Sequence, residues 1–400
     1  MKNIFDLTHE ELKVIANRLQ VKIEEGIQKD GMEILGIPTH IVPSENISEG
    51  KVLALDWGGT NFRAAVVEFK KGKPQILEIK EIPLSAKETD GLKQHDLYSA
   101  MAEAIFSLKT LDQSVTNIGY CFSYPAAARL NGDAILLHWT KEIFITDMQG
   151  DNKQKDNPNN IVGESLVKHL NTNQDINFKN IKVINDTVAC LFAGLSEQGY
   201  DAYIGLIVGT GTNMASLMRR DKIEKLNSKE TGRIPVNLES GGFNPPYLTV
   251  IDNLVDATTN NKGEHRFEKA ISGGYLGEIF KTVFMYEKIK YDFDGYDLSQ
   301  LIASKDDADE KVQVARQLAE RSAKLVAASI AGLVQELVRQ DENTKKIGLA
   351  VDGSVFWKTP NYKNMVEAEL KILLPVGVKV DIFPPMENPN LIGAAIAALS

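Results

Sequence analysis

Two halves, each an α/β unit around a central mixed sheet, are the expectation for this chain. Three observations carry it. Strand and helix signals alternate along the sequence. A β-rich run, a tight glycine turn and a second β-rich run occur twice, over residues 52–67 and 203–217. The 400 residues exceed the size at which a single hydrophobic core stops growing.

In chain order, Thr8 and Glu11 have capping-box spacing, and Leu12, Ile15, Leu19, Ile23 and Ile27 form an apolar stripe, so the chain opens on a long helix. Residues 36–50, with Pro38 and Pro43, read as a loop, and 52–82 as a strand meander. Residues 92–108 read as a helix, 117–122 as a buried strand, and Asn131-Gly132 as a turn. The stretch 150–160 is nearly all polar and is expected as a mobile surface loop. Strand 181–184, helix 187–195 and strand 204–208 form the next units. A long helix is expected over 312–338, a strand over 347–351, and a final Ala-rich helix from about residue 390.

Composition excludes several classes. Hydrophobic content of 43% with 25% charged residues is globular. A formal charge of −9 and no Lys/Arg block argue against nucleic acid as a partner. No apolar run approaches a membrane span, and residues 1–29 lack the apolar segment of a signal peptide. Two cysteines, Cys121 and Cys190, sit in apolar runs, which fits a reducing, cytoplasmic setting. The six histidines show no metal-ligand spacing.

The two glycine turns carry chemistry. Without Cβ atoms, Gly58-Gly59-Thr60-Asn61 and Gly209-Thr210-Gly211 let backbone N–H groups converge on an anion, and Thr and Asn add side-chain donors. Neither is a Walker A loop, and neither is a dinucleotide fingerprint, since both return into strand-like sequence. Two such turns suggest a clamp on one polyphosphate. Asn185-Asp186 follows a buried strand, at the edge where open α/β sheets bind ligands; taken alone, the pair is better read as a helix cap. Ser123 after one strand, Asn213 after the second turn and Asp352-Gly353-Ser354 after a third make further polar strand ends. With no basic cluster, they suggest a neutral, hydroxyl-rich ligand beside the clamp.

At this point the chain resembles the eukaryotic-type hexokinase family. The matching segments are Leu53-Ala54-Leu55-Asp56-Trp57-Gly58-Gly59-Thr60-Asn61-Phe62-Arg63, Phe122-Ser123-Tyr124-Pro125, Leu136-Leu137-His138-Trp139-Thr140-Lys141 and Ile184-Asn185-Asp186-Thr187-Val188. Ile207-Val208-Gly209-Thr210-Gly211-Thr212-Asn213, Val236-Asn237-Leu238-Glu239, Phe267-Glu268-Lys269, Gly274-Tyr275-Leu276-Gly277-Glu278 and Val351-Asp352-Gly353-Ser354-Val355 continue in family order. The resemblance implies an actin-like, ribonuclease-H-like ATPase fold of two lobes with a cleft between them. The smaller lobe is expected over 50–184 with 388–400, the larger over 1–49 with 185–387.

The resemblance further implies transfer of the γ-phosphoryl of ATP, with Mg²⁺, to the 6-hydroxyl of a hexose, glucose being the expected one. Asp186 would be the general base and Lys141 a cation near the transferring group. Ser123, Thr140, Lys141, Asn185, Asp186, Asn213, Glu239 and Glu268 would bind the sugar. Gly58, Gly59, Thr60 and Asn61 would form one phosphate turn and Gly209, Thr210 and Gly211 the other, with Gly353 and Ser354 near the adenosine. Asp56 would meet the metal through water. The chain would act as a monomer or homodimer. Without the resemblance, Glu268 reads as a helix-surface carboxylate, Lys141 as a solvated loop lysine and Trp139 as core. Three segments depart from the family: Ser240-Gly241-Gly242 stands where Trp-Gly-Ala is usual, Asn388-Pro389-Asn390-Leu391 replaces a Gly-Ser-Gly-like turn, and 150–160 is longer. A hexokinase-like sugar sensor and a chaperone- or actin-like ATPase are the competing readings; the intact Asp186 and both turns argue against the first.

Overall fold

The computed structural model describes residues 3–44, 47–149, 157–172, 176–228, 230–285, 289 and 292–400. The chain opens with α1 (His9–Gln28), whose Thr8 and Glu11 close the expected capping box and whose apolar stripe is fully buried. A two-residue strand, β1 (Ile37–Pro38), interrupts the expected loop. The meander β2 (Gly50–Trp57), β3 (Asn61–Lys70) and β4 (Lys73–Pro83) follows, then α2 (Ala86–Thr89) and α3 (Gln94–Phe106). Next come β5 (Asn117–Phe122), the short hairpin β6 (Ala126–Ala128) and β7 (Ala134–Leu136), α4 (Val162–Leu170), β8 (Asn180–Ile184) and α5 (Asp186–Gly194). A second hairpin, β9 (Ala202–Val208) and β10 (Thr212–Arg219), leads to β11 (Arg233–Asn237). Helices α6 (Val250–Ala257), α7 (Arg266–Ile271), α8 (Gly273–Val283), α9 (Gly295–Ala303) and the long α10 (Glu310–Gln340) follow. The chain finishes with β12 (Lys346–Asp352), α11 (Ser354–Lys358), α12 (Tyr362–Leu373), β13 (Lys379–Ile382) and α13 (Pro389–Ala398).

Two compact units result. The first comprises Met1–Ile37, Gly199–Gly232 and Asn237–Pro385; the second comprises Pro38–Gln198, Arg233–Val236 and Met386–Ser400. Residues 38–49, 185–198, 233–236 and 386–387 thus group with the second unit, whereas the sequence reading assigned them to the larger lobe.

The second unit is built on the strand order β4-β3-β2-β5-β8. Its β4/β3/β2 meander is antiparallel and β2/β5/β8 are parallel. Leu53, Leu55, Trp57, Phe62, Tyr120 and Phe122 fill its core. The final helix lies close on β5 and α5: a Cβ at Gly119 would fall 1.7 Å from the Ala394 carbonyl oxygen, and one at Gly393 2.0 Å from that of Ala189. This backbone approach explains why α5 and α13 join the same unit.

The first unit carries the order β10-β9-β12-β13, with β10/β9 antiparallel and β9/β12/β13 parallel. Each sheet is therefore mixed: antiparallel strands joined in a meander or hairpin, then two further strands in parallel. The α10 helix packs against α1 so closely that a Cβ at Gly332 would stand 2.6 Å from the Ala16 carbonyl oxygen. Of the expected polar loop, residues 150–156 lie outside the described residues. Asn157 caps a single 3₁₀ turn, Pro158–Asn160, in which Asn160 is buried.

Candidate active site

Register brings the second unit's polar strand ends to one edge. Asp56 pairs with Cys121 across β2 and β5, and Cys121 with Ile184 across β5 and β8. Asp56, Ser123 and Asn185-Asp186 therefore stand side by side at the carboxyl edge of the parallel strands, where such sheets bind ligands.

Asn185 caps α5, its Oδ1 accepting from the Thr187 N–H at 2.8 Å, so the cap reading holds for it. Asp186, the first helical residue, accepts from the same N–H at 2.7 Å and stays partly exposed. Asp56 is buried. Its Oδ2 accepts from Arg63 Nη1 at 3.4 Å and its Oδ1 from Asn390 Nδ2 at 3.3 Å. Burial pushes its carboxyl up to about 6 and the Asp186 charge adds to this, while Arg63 and the hydrogen bonds from Cys121 and Asn390 oppose it.

The β2–β3 turn is braced by side chains. Lys141 Nζ donates to the carbonyls of Gly58 at 2.8 Å and Ser123 at 3.0 Å, and lies 5.2 Å over the Tyr124 ring. Lys141 and Glu142 both have left-handed backbones, at φ +58° and +60°. Gly59, at φ +108°, leaves room for the lysine stem, since a Cβ there would fall 2.5 Å from Lys141 Cδ. On the other side Glu81 accepts from Asn61 Nδ2 and Arg63 Nε. Thr60 is exposed at the tip, and its carbonyl accepts from the Leu84 N–H at 2.9 Å. Half-buried Thr140 leads into the strained pair, its carbonyl accepting from the Ile143 N–H at 3.2 Å. Trp139 belongs to the aromatic cluster under the edge, 5.6 Å from Trp57 and 5.1 Å from Tyr124 between ring centroids.

In the first unit the parallel register pairs Asp352 with Ile207, so Gly353-Ser354 and the β9–β10 turn share an edge. Backbone braces this turn. Gly273 and Gly274, at the start of α8, donate to the carbonyls of Gly209 at 2.8 Å and Thr210 at 3.1 Å, and the Gly209 N–H donates to the Gly211 carbonyl. Gly353, at φ +118°, must be glycine: a Cβ would meet the Val208 carbonyl oxygen at 2.3 Å.

Three half-buried residues expected at the sugar gather beyond this turn. Glu268 accepts from the Thr212 N–H at 3.0 Å. Asn213 Nδ2 donates to Asn237 Oδ1 at 2.8 Å, and Asn237 Nδ2 to Glu239 Oε1 at 2.7 Å. The Ser240 N–H donates to Asn213 Oδ1 at 3.1 Å, and Glu239 itself is left-handed at φ +54°.

Sequence reasoning missed the supports. Asn237 links Asn213 to Glu239, although it lay inside a quoted motif. Lys269, 4% exposed, donates to Asp256, Thr259 and Asn261 and so anchors the helix that carries Glu268. Arg63 and Asn390 flank Asp56; the charged Arg63 inside an apolar strand was the one available signal. Among the described residues no cluster of three or more His, Cys, Asp or Glu could hold a metal, and no helix is long and apolar enough to cross a membrane.

Hexokinase family models match residues 1–195 and, in two segments, 203–293 and 287–400. Human hexokinase-3 is 27% identical over 93% of this chain and 43% of its own length, and rat hexokinase-2 is 27% identical over 98% and 46%. The chain thus spans about half the length of the curated relatives it matches. The hexokinase from Schistosoma mansoni complexed with glucose superimposes with a TM-score of 0.80 at 23% identity, covering 99% of this chain and 96% of that one. A ROK family glucokinase from Streptomyces griseus, in complex with glucose and AMPPNP, gives 0.53 at 18% identity, covering 87% and 99%. At these identities the structures speak for the fold, the expected actin-like α/β architecture. With hexokinase models accounting for both halves of its length, the chain belongs to the hexokinase family.

Proposed function

We propose that this chain is an ATP-dependent hexokinase, transferring the γ-phosphoryl of MgATP to the 6-hydroxyl of glucose or a related hexose. The observation that carries the reading is Asp186, a partly exposed carboxylate at the ligand-binding edge of its sheet, in line with Asp56 and Ser123. The glucose in the Schistosoma structure and the glucose with AMPPNP in the Streptomyces one support it.

Asp186 takes the proton from the 6-hydroxyl as the oxygen attacks, the work of a positioned general base. Ser123, Thr140, Lys141, Asn185, Asn213, Glu239 and Glu268 hydrogen-bond the sugar. Asn185 keeps its carbonyl on α5 and turns its amide N–H groups to a hydroxyl. Lys141 holds the Gly58 and Ser123 carbonyls and brings its positive charge to the phosphate turn. The turns at Gly58, Gly59, Thr60 and Asn61 and at Gly209, Thr210 and Gly211 bind the polyphosphate, and Gly353 and Ser354 the adenosine.

Asp56 suits Mg²⁺ through water: it is a hard oxygen ligand whose burial leaves it in want of a cation. An ion that keeps waters and takes phosphate oxygens needs no larger protein cage. When bound, Mg²⁺ supplies charge neutralisation on the transferring phosphoryl. Buried Cys121 and Cys190, neither of them in a disulfide, fit a cytoplasmic enzyme, and we assign it as a monomer or homodimer.

The test is a coupled assay of hexose 6-phosphate formation across a panel of hexoses and nucleotides. Sugar- and MgATP-dependent product is expected. Hexose binding without turnover would favour a sensor, and ATP hydrolysis indifferent to sugar a general ATPase.

A further inference from the structure

The β2–β3 turn has a carboxylate of its own chain seated on its donors. Glu81 lies on β4 directly across from Arg63, and Asn61, two residues before Arg63, points to the same face of the sheet. One Glu81 oxygen accepts from Asn61 Nδ2 at 2.5 Å, the other from Arg63 Nε at 2.6 Å. Arg63 then reaches Asp56 at 3.4 Å. A carboxylate bridging an amide and a guanidinium makes the hydrogen bonds that a phosphate oxygen would make to the same donors. The Arg63 and Glu81 side chains are 37% and 45% exposed, so water and ligand anions can exchange with the pair at little cost.

We propose that Glu81 is an internal competitor for the phosphate donors of this turn and sets its affinity for nucleotide. The polyphosphate engages Asn61 and Arg63 by displacing Glu81, and a negative charge stays beside the bound phosphates. The inference rests on the reading above, in which this turn binds the polyphosphate. It has a sign that mere support of the turn does not share: a supporting residue weakens binding when altered, whereas a competitor strengthens it.

The experiment is calorimetric titration of the sugar-free chain with MgATP, comparing the unaltered protein with Glu81→Gln. Glutamine keeps an oxygen for Arg63 and removes the charge. Dissociation constants about three- to tenfold lower are expected for Glu81→Gln at low salt, from removing one like charge at an exposed site. The gap should close in 1 M salt, where screening acts within about 3 Å. Glu68→Gln, which uncouples an ion pair with Lys70 further along the same hairpin, should leave affinity unchanged. If the unaltered chain binds MgATP and Glu81→Gln binds it equally or more weakly, the competitor assignment falls while the kinase reading stands. If neither folded protein binds MgATP, with or without hexose, both fall.

Discussion

The β2–β3 and β9–β10 turns look alike as sequence and are held by different physics. Around Gly58 the braces are mainly charged side chains, Lys141 on the Gly58 carbonyl and Glu81 on Asn61 and Arg63, beside one backbone bond from the Leu84 N–H to the Thr60 carbonyl. Around Gly209 they are backbone groups: the N–H groups of Gly273 and Gly274 on two turn carbonyls, with Gly353 packed against Val208. The first arrangement rests largely on charge, the second on close backbone packing. One turn is thus adjustable and the other rigid, though both share the same glycine grammar.

The sharpest division to test is between chemistry and sugar recognition. Asp186→Ala should lower kcat by about 10²–10⁴ while hexose binding survives, since a positioned general base contributes on that scale. Glu268→Ala, in the other unit, should cost about 2–4 kcal/mol in kcat/KM by leaving a sugar hydroxyl unpaired. Steady-state kinetics with equilibrium hexose binding reads both. A Glu268→Ala variant altered in nucleotide affinity alone would move that residue out of the sugar set.

A second test uses protons. The Asp56 carboxyl, near 6 in the fold against an ordinary 3.8, binds its proton more tightly folded than unfolded. Its charge therefore costs nothing below about pH 4, costs progressively more between 4 and 6, and is a full penalty above 6. Asp56→Asn should stabilise the protein by about 2–3 kcal/mol at pH 8 and leave it unchanged at pH 4, with activity lost. Denaturant midpoints at the two pH values read this. A variant equally destabilised at both would show that the Arg63 and Asn390 contacts outweigh burial.

The smallest effects separate the turns themselves. Gly353→Ala brings a Cβ against the Val208 carbonyl at a positive φ and should cost about 1–3 kcal/mol. Gly58→Ala meets nothing within 4 Å and should stay within about 0.5 kcal/mol. Equal melting temperatures for the two variants would erase the distinction between a rigid and an adjustable turn.

Much of the architecture was legible because its signals are local. The capping box of α1, the two hairpins, β5, and the Asn185-Asp186 step from strand to helix each depend on residues a few positions apart. The cap reading at Asn185 holds and is compatible with the proposed ligand role, since its amide oxygen serves the helix and its N–H groups are separate donors. The helices α2, α4, α6, α7, α8, α9, α11 and α12 were not read: several are short, and the capping pairs Thr249–Asp252 and Asp294–Asp297 that open α6 and α9 were passed over. The supports of the site were hidden for another reason: their partners are remote. Asn390 meets Asp56 across 334 positions, and Lys269 reaches Asp256 only once α6 and α7 have packed.

The glycine turns, the polar strand ends and the alternation of strand and helix are written in the order of the residues, because turn geometry and side-chain period act over a few bonds. Folding in three dimensions settled which charges meet: Glu81 with Arg63 and Asn61, Asn390 with Asp56, Lys269 with Asp256. Those pairings depend on strand register and on helices joined across long loops, and hydrogen bonds and burial act through distance in space, which spacing along the chain does not encode.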